Sequence, residues 1–451
     1  MTARRSTTII VALIGILVPA WTAWSQSAQV PGPPQQAPVT IVNARIHPVS
    51  DDHPPIIESG WIRFEEGRIV GIGDGSPESD SAGDGNVIDA QGLTVVPGFI
   101  SGPSQIGLLE VKQVDATDDR RESASRSPEV APWLAVNPDS DLIPVSRAAG
   151  ILHTFAVPIG GTIPGRTSIL RLDGWSIEDL AVVRDAGVIL SWPTMTPVQA
   201  SWMRRGRPEQ SEDIEKRLRE IDQWFDDAES WSRARKADET VRTDLRFAAV
   251  EPVLEGTRPI FIRANSRGQI ESAITWATER GYRPVVVGGA NAADCLDILK
   301  ETGTPVILTR VHRLPSSRHH PVDRPLTLPA VLDDAGIPFA IGFEDEPAHE
   351  RGLAHNAATA VAHGLPRETA LRSITRTPAE ILGVDDRIGS LRPGRSATFF
   401  ICQGHPLEMD ATPLRAWIDG REIDLGSRQS RMLEKYREKY RRAGLVGEDR
   451  P

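Results

Sequence analysis

At 451 residues the chain is too long for one small core and implies a large domain with a satellite, or two domains. Its 39% apolar and 25% charged residues exclude wholesale disorder. A formal net charge of −10 gives no reason to expect nucleic acid or an anionic membrane as a partner.

The first residues read as a targeting segment. Arg4 and Arg5 precede an apolar stretch from Ile9 to Ala20, and Ala23 and Ser25 supply small residues for a cut after Ser25. That is the layout of a cleavable secretory signal over residues 1–25, and it predicts a periplasmic or secreted protein. An uncleaved anchor is the competing reading, but about a dozen apolar residues fall short of the roughly 20 that span a bilayer. No membrane span is therefore expected in the mature protein. Residues 26–38, rich in Gln, Pro and Ser, read as an extended, poorly ordered linker.

Residues 39–96 form the first part of a small β unit. Val39 to Val42, Trp61 to Glu65 and Arg68 to Ile72 read as strands, with Glu66-Gly67 as the turn between the last two. Val87 to Ala90 and Leu93 to Val96 follow, and Pro97-Gly98 punctuates the end. From there apolar runs alternate with helical patterns. Strands are expected at Ile151 to Pro158, Val188 to Trp192, Pro259 to Ala264, Pro284 to Gly289, Pro305 to Leu308 and Pro338 to Gly342. Continuous apolar strands alternating with helices imply a parallel sheet covered on both faces. Over residues 97–383 the economical closure is a TIM-like (β/α)8 barrel, which makes the chain α/β. Ile214, Leu218, Ile221, Trp224, Phe225, Ala228 and Trp231 recur at helical spacing and predict one amphipathic helix on its outside.

Strands at Phe399 to Cys402 and Ala416 to Ile418, with a turn at Asp419-Gly420, complete a β-sandwich over residues 384–425. A charged helix and tail occupy residues 426–451. Cys295 falls in an expected helix and Cys402 in an expected strand, so two buried free thiols are favoured over a disulfide. No Cys-x-x-Cys pair is present to build a zinc ribbon.

Three stretches carry a family likeness. The run Val95-Val96-Pro97-Gly98-Phe99-Ile100-Ser101-Gly102-Pro103-Ser104-Gln105-Ile106-Gly107-Leu108 resembles the signature V-x-P-G-x-I-D-x-H-x-H-x-G-L of the amidohydrolase superfamily of metal-dependent hydrolases. Ala370-Leu371, Thr375, Pro378-Ala379 and Leu382-Gly383 are similar to its A-L-x-x-x-T-x-x-P-A-x-x-L-G motif. Gly389-Ser390-Leu391-Arg392-Pro393-Gly394 is similar to the motif that leads back into its small β-sandwich. The likeness spans residues 39 to 425, and within the superfamily the chain looks most like the imidazolonepropionase-like and cyclic-amidase group.

The resemblance implies one or two divalent metals at the C-terminal ends of the barrel strands, where metal-bound water gains a near-neutral pKa. It also implies where the ligands belong. The His-x-His pair falls on Pro103 and Gln105, the fifth-strand histidine on Arg263, and the sixth-strand histidine on Gly288. The eighth-strand carboxylate survives as Glu344 or Asp345, and no lysine lies in a barrel strand to form a carbamate. No cofactor is therefore expected, and Arg263 is expected to pair with Glu344 or Asp345 in the place of the metal. The function that follows is that of a secreted amidohydrolase-like protein without metal-dependent hydrolysis, which binds a small molecule in the barrel mouth or keeps a structural role. The alternative is an active hydrolase of non-peptide carbon–nitrogen bonds in cyclic amides. It would use one zinc or manganese held by Glu344, Asp345 and loop histidines.

Other groups receive plainer readings. His312, His319 and His320 read as loop surface, His349, His355 and His363 as solvated positions in or beside a helix, and His153 as a satisfied core histidine. The charge run from Asp115 to Glu122 reads as a solvated lid. Ser101, Ser104 and Thr154 lack the Gly-x-Ser-x-Gly elbow of a serine hydrolase.

Overall fold

The computed structural model describes residues 29–77, 85–198, 206–344 and 346–445. The signal segment predicted at residues 1–25 lies outside them. The β unit opens with β1 (Val39–Ile46), β2 (Ile57–Glu65), β3 (Arg68–Asp74), β4 (Asn86–Asp89) and β5 (Thr94–Pro97). Eight further strands make the second sheet: β6 (Phe99–Ser104), β7 (Ile151–Ala156), β8 (Gly165–Arg171), β9 (Ala181–Ser191), β10 (Ile260–Ala264), β11 (Pro284–Gly288), β12 (Val306–Leu308) and β13 (Phe339–Ile341). Then β14 (Phe399–Cys402), β15 (Pro413–Ile418) and β16 (Arg421–Ile423) return to the first sheet, where β14 pairs antiparallel with β5.

The barrel strands run in sequence order from β6 to β13. All neighbouring pairs are parallel except those made by β8, which lies antiparallel to both β7 and β9. The expected (β/α)8 barrel thus carries one strand of reversed direction. The sequence hid it because Gly165–Arg171 opens with the polar run Arg166-Thr167-Ser168, has only Ile169-Leu170 as apolar residues, and so lacks the continuous apolar run of a strand buried on both faces. Its partner β9 correspondingly begins at Ala181, earlier than the apolar run alone suggests.

The two ends of the sheet meet at a seam. Ile341 N–H donates to Ser373 O (2.9 Å) and Ile100 N–H to Ile374 O (2.8 Å), so the segment after β13 bridges to β6. Higher up the backbones nearly touch: a methyl group on Gly342 would overlap the carbonyl of Gly102. Glycine is required there by space. Inside the barrel, alternate residues of successive strands form one layer, among them Ile100, Phe155, Ile169, Ile189, Phe261, Val287, Ile307 and Ala340. Ala379, Leu382, Val384 and Ile388 join that cluster from the segment following β13. A filled interior of this kind is a packed core with no through-channel.

The predicted amphipathic helix runs from Arg207 to Ala237 and buries Ile221, Trp224, Phe225 and Ala228. They pack on Val188, Leu190 and Ile260 of β9 and β10, which explains its tryptophans as packing residues. Phe64, Phe399 and Trp417 fill the core of the β unit, with Phe399 stacked on Trp417 at 5.1 Å between ring centroids. These contacts join chain segments from either side of the barrel. Such aromatic pairs contribute about 1 kcal/mol each beyond burial. Both cysteines are free and buried.

Residues 29–38 contain no regular helix or strand until β1 approaches, yet they are tied down where composition suggested poor order. Gln35 Nε2 donates to Phe64 O (3.0 Å) and its Oε1 accepts from Gly67 N–H (2.9 Å). Gly32 N–H donates to Asp173 Oδ2 (3.2 Å). Asp173 is fully buried and also binds Arg147 Nη1 at 2.5 Å and Arg421 Nη2 at 3.4 Å. One carboxylate therefore fastens the leading segment, a barrel helix and β16 together.

Candidate active site at the barrel mouth

The C-terminal ends of the parallel strands converge on the residues singled out by their positions in the motifs. Arg263 is the fourth residue of β10 and Glu344 lies three residues past β13. The fold brings them into an ion pair through Arg263 Nη1 and Glu344 Oε1, with side chains 20% and 22% exposed. Glu344 is held in position by its backbone N–H, which donates to Thr309 O (2.7 Å) beyond the end of β12. Arg263 Nε and Nη2 are buried and make no hydrogen bond among the described residues. Asp345, the other carboxylate considered, lies outside the described residues.

Pro103 is the penultimate residue of β6, and Gln105, 6% exposed, follows the strand. The Gln105 side-chain oxygen accepts from Arg120 Nη1 (3.2 Å), and Arg120 forks onto Asp118 through Nε and Nη2, each 2.7 Å from a carboxylate oxygen. Hydrogen bonds from Arg120 hold the Asp118 carboxyl well below the usual carboxylate range. Asp118 and Arg120 are 7% and 13% exposed, so this part of the charge run turns inward instead of forming a solvated lid. Nothing local signals that turn, because Asp118 and Arg120 sit among charged neighbours that do face water.

Gly288 ends β11 with φ +108°, a conformation L side chains rarely adopt. A Cβ placed there would lie 2.5 Å from Asn265 Oδ1. The Asn265 amide thus occupies the space into which any side chain at position 288 would grow.

Sequence reasoning missed Glu350. It sits in a 3-10 turn (Pro347–Gly352) after β13 and is 2% exposed. Ser101 Oγ donates to its Oε2 (2.8 Å) and Gln105 N–H to its Oε1 (3.4 Å). Burial pushes its carboxyl up to about 8, against the lowering pull of Ser101, Ser104 and the Gln105 N–H, with Glu344 adding a further raising effect. Glu350 is therefore a neutral acid at pH 7. Its only signal in the sequence is a carboxylate beside His349.

The histidines do not assemble into an alternative site. Among the described residues no three His, Cys, Asp or Glu side chains gather as a metal-binding group. His312 Nε2 pairs with Thr359 Oγ1 (2.6 Å), while His349 and His355 line a different cleft with Met409 and Pro413. His153 is buried as expected, but its Nδ1 makes no hydrogen bond among the described residues, so it is less satisfied than a core histidine usually is. Burial lowers its pKa to about 4.

The donor set does not fit a divalent metal. Proline offers no side-chain lone pair, the Gln105 oxygen is engaged by Arg120, Gly288 has no side chain, and Arg263 is a permanent cation. The cation–carboxylate pair of Arg263 and Glu344 sits at the strand ends, with a neutral carboxylic acid nearby. Those groups can hold a proton and donate hydrogen bonds to oxygen.

Comparison with known proteins shows what this chain is similar to. The model of the amidohydrolase family matches residues 269–429. The amidohydrolase tasK of Hapsidospora irregularis is 23% identical over 394 residues, 80% of this chain and 39% of that protein. An imidazolonepropionase of Polaromonas is 31% identical over 126 residues, 27% of this chain and 28% of that protein. The matched region thus spans well under half of either curated relative. An amidohydrolase structure from Thermotoga maritima superposes with a TM-score of 0.72 at 24% identity, covering 86% of this chain and 99% of that one. The family model, both curated relatives and that structure all support the amidohydrolase superfamily.

Proposed function

We propose that this is an exported amidohydrolase-fold protein that has exchanged metal-dependent hydrolysis for a binding or structural role. The observation that carries the reading is the Arg263–Glu344 pair, formed where the family likeness calls for a metal ligand and a catalytic carboxylate. A fixed guanidinium repels a dication at close range, and pairing with Glu344 occupies a carboxylate that could otherwise serve as a ligand. A binding role gains support from Arg263 Nε and Nη2, which are buried and make no hydrogen bond among the described residues. A carbonyl or carboxylate oxygen of a small ligand would complete that guanidinium.

The test is metal analysis of the purified protein together with turnover assays on hydantoin-like and imidazolone-like cyclic amides. Substoichiometric metal and no turnover are the expected result. Stoichiometric zinc or manganese, with hydrolysis of a cyclic amide that a chelator abolishes, would overturn the reading in favour of an active hydrolase of non-peptide carbon–nitrogen bonds. Export is tested separately, by recovery of a mature chain beginning at Gln26 from the periplasm or medium.

A further inference from the structure

The helix Arg428–Arg442 follows β16 and starts from a capping box in which Ser427 and Ser430 satisfy each other's backbone N–H groups. None of its residues is buried. At 100° per residue, Met432, Tyr436 and Tyr440 recur at i, i+4 and i+8, and Leu433 widens the same stripe. Their exposures run from 40% to 51%, so the stripe is not packed against the body of the protein. Two of the three tyrosines in the whole chain stand here.

The charges are arranged around that stripe. Arg437 borders it on one side, Lys435, Lys439 and Arg428 border it on the other, and Glu434 and Glu438 fall on the opposite face. Glu438 is further occupied by Arg441 and Arg442. Seven basic and two acidic residues give the helix +5 within a chain of −10. The whole-chain charge, which argued against an anionic surface, conceals a local patch of the opposite sign.

We propose that this helix docks the protein onto the headgroup layer of a bilayer rich in anionic phospholipid. Fifteen residues make about 22 Å of helix, too short for the roughly 30 Å hydrocarbon core. No described helix is long and apolar enough to cross a membrane. The helix would instead lie in the interface plane, with its Met, Leu and Tyr side chains in the acyl boundary and its flanking Lys and Arg reaching phosphates. A second copy of the chain fits less well. Two such stripes face to face would set basic borders against each other, and four half-exposed side chains fall short of the about 800 Å² per partner that a stable interface buries. This inference stands independently of what the barrel mouth does.

The experiment is co-sedimentation of the full chain with vesicles of equal parts phosphatidylglycerol and phosphatidylcholine, and with phosphatidylcholine alone. Binding is expected to the first only and to weaken with salt. Each basic residue removed should weaken it about fivefold, so Lys435→Gln with Lys439→Gln should cost about 30-fold. Replacing Met432, Leu433, Tyr436 and Tyr440 by Ser should abolish it, while Glu434→Gln with Glu438→Gln should keep it. An unchanged thermal unfolding midpoint confirms that the variants fold. No binding to the anionic vesicles would overturn the proposal. So would binding that survives the four Ser substitutions, which would assign it to the N-terminal apolar segment. A dimer dissolved by the same substitutions, or binding to nucleic acid but not lipid, would overturn it too.

Discussion

Replacing Glu350 by Gln probes the barrel mouth directly. In the unfolded chain this carboxyl titrates near 4.5, whereas in the fold burial raises it to about 8. Between those values the folded protein holds a proton that the unfolded chain has released. The contribution is fully present below pH 4.5 and is lost as pH rises toward 8, at about 1.4 kcal/mol per pH unit and at most about 5 kcal/mol in all. Glutamine reproduces the neutral acid in size and charge, and its Oε1 can accept from Ser101 Oγ as the acid's oxygen does. Urea unfolding followed by tryptophan fluorescence should give wild type and Glu350→Gln similar midpoints near pH 5. By pH 8 the variant should be the more stable by about 4 kcal/mol. Parallel profiles across that range would refute the claim that Glu350 is neutral in the fold.

Three other perturbations test the architecture. Arg263→Met and Glu344→Met should each destabilise, and a double-mutant cycle in urea should return a coupling of about 1–2 kcal/mol; additive effects would mean the pair is incidental. Asp173→Asn leaves Arg147 buried without a counter-charge and should cost about 3–5 kcal/mol by thermal or urea unfolding, where a surface pair would cost less than about 1. Gly342→Ala forces the backbone away from Gly102 and should cost about 3 kcal/mol, measured the same way. Near-zero cost would mean that the seam opens freely.

The barrel was legible because its parallel strands, buried on both faces, are written as uninterrupted apolar runs such as Pro284-Val285-Val286-Val287. The β8 strand was not, since its polar opening Arg166-Thr167-Ser168 looks like a loop between two apolar runs. At the site, Arg263 and Glu344 could be paired from their places in two motifs. Glu350 could not, because its raised pKa arises from burial, at a place where Ser101 and Gln105, some 250 positions earlier, come within hydrogen-bond reach only through the seam. The inward turn of Asp118 and Arg120 is likewise a tertiary fact. Nothing local distinguishes them from Asp115 or Arg121.

The position of β5 between β1 and β14 has a consequence for biogenesis. A chain emerging from its amino end can pair β5 with β1 early, but the opposite edge must wait until Phe399–Cys402 arrives from beyond the barrel. Until then Thr94–Pro97 offers unpaired amides and carbonyls to any passing strand. A chain cut short before Phe399 would keep that edge permanently, and it should accumulate as aggregate even though every barrel strand is intact.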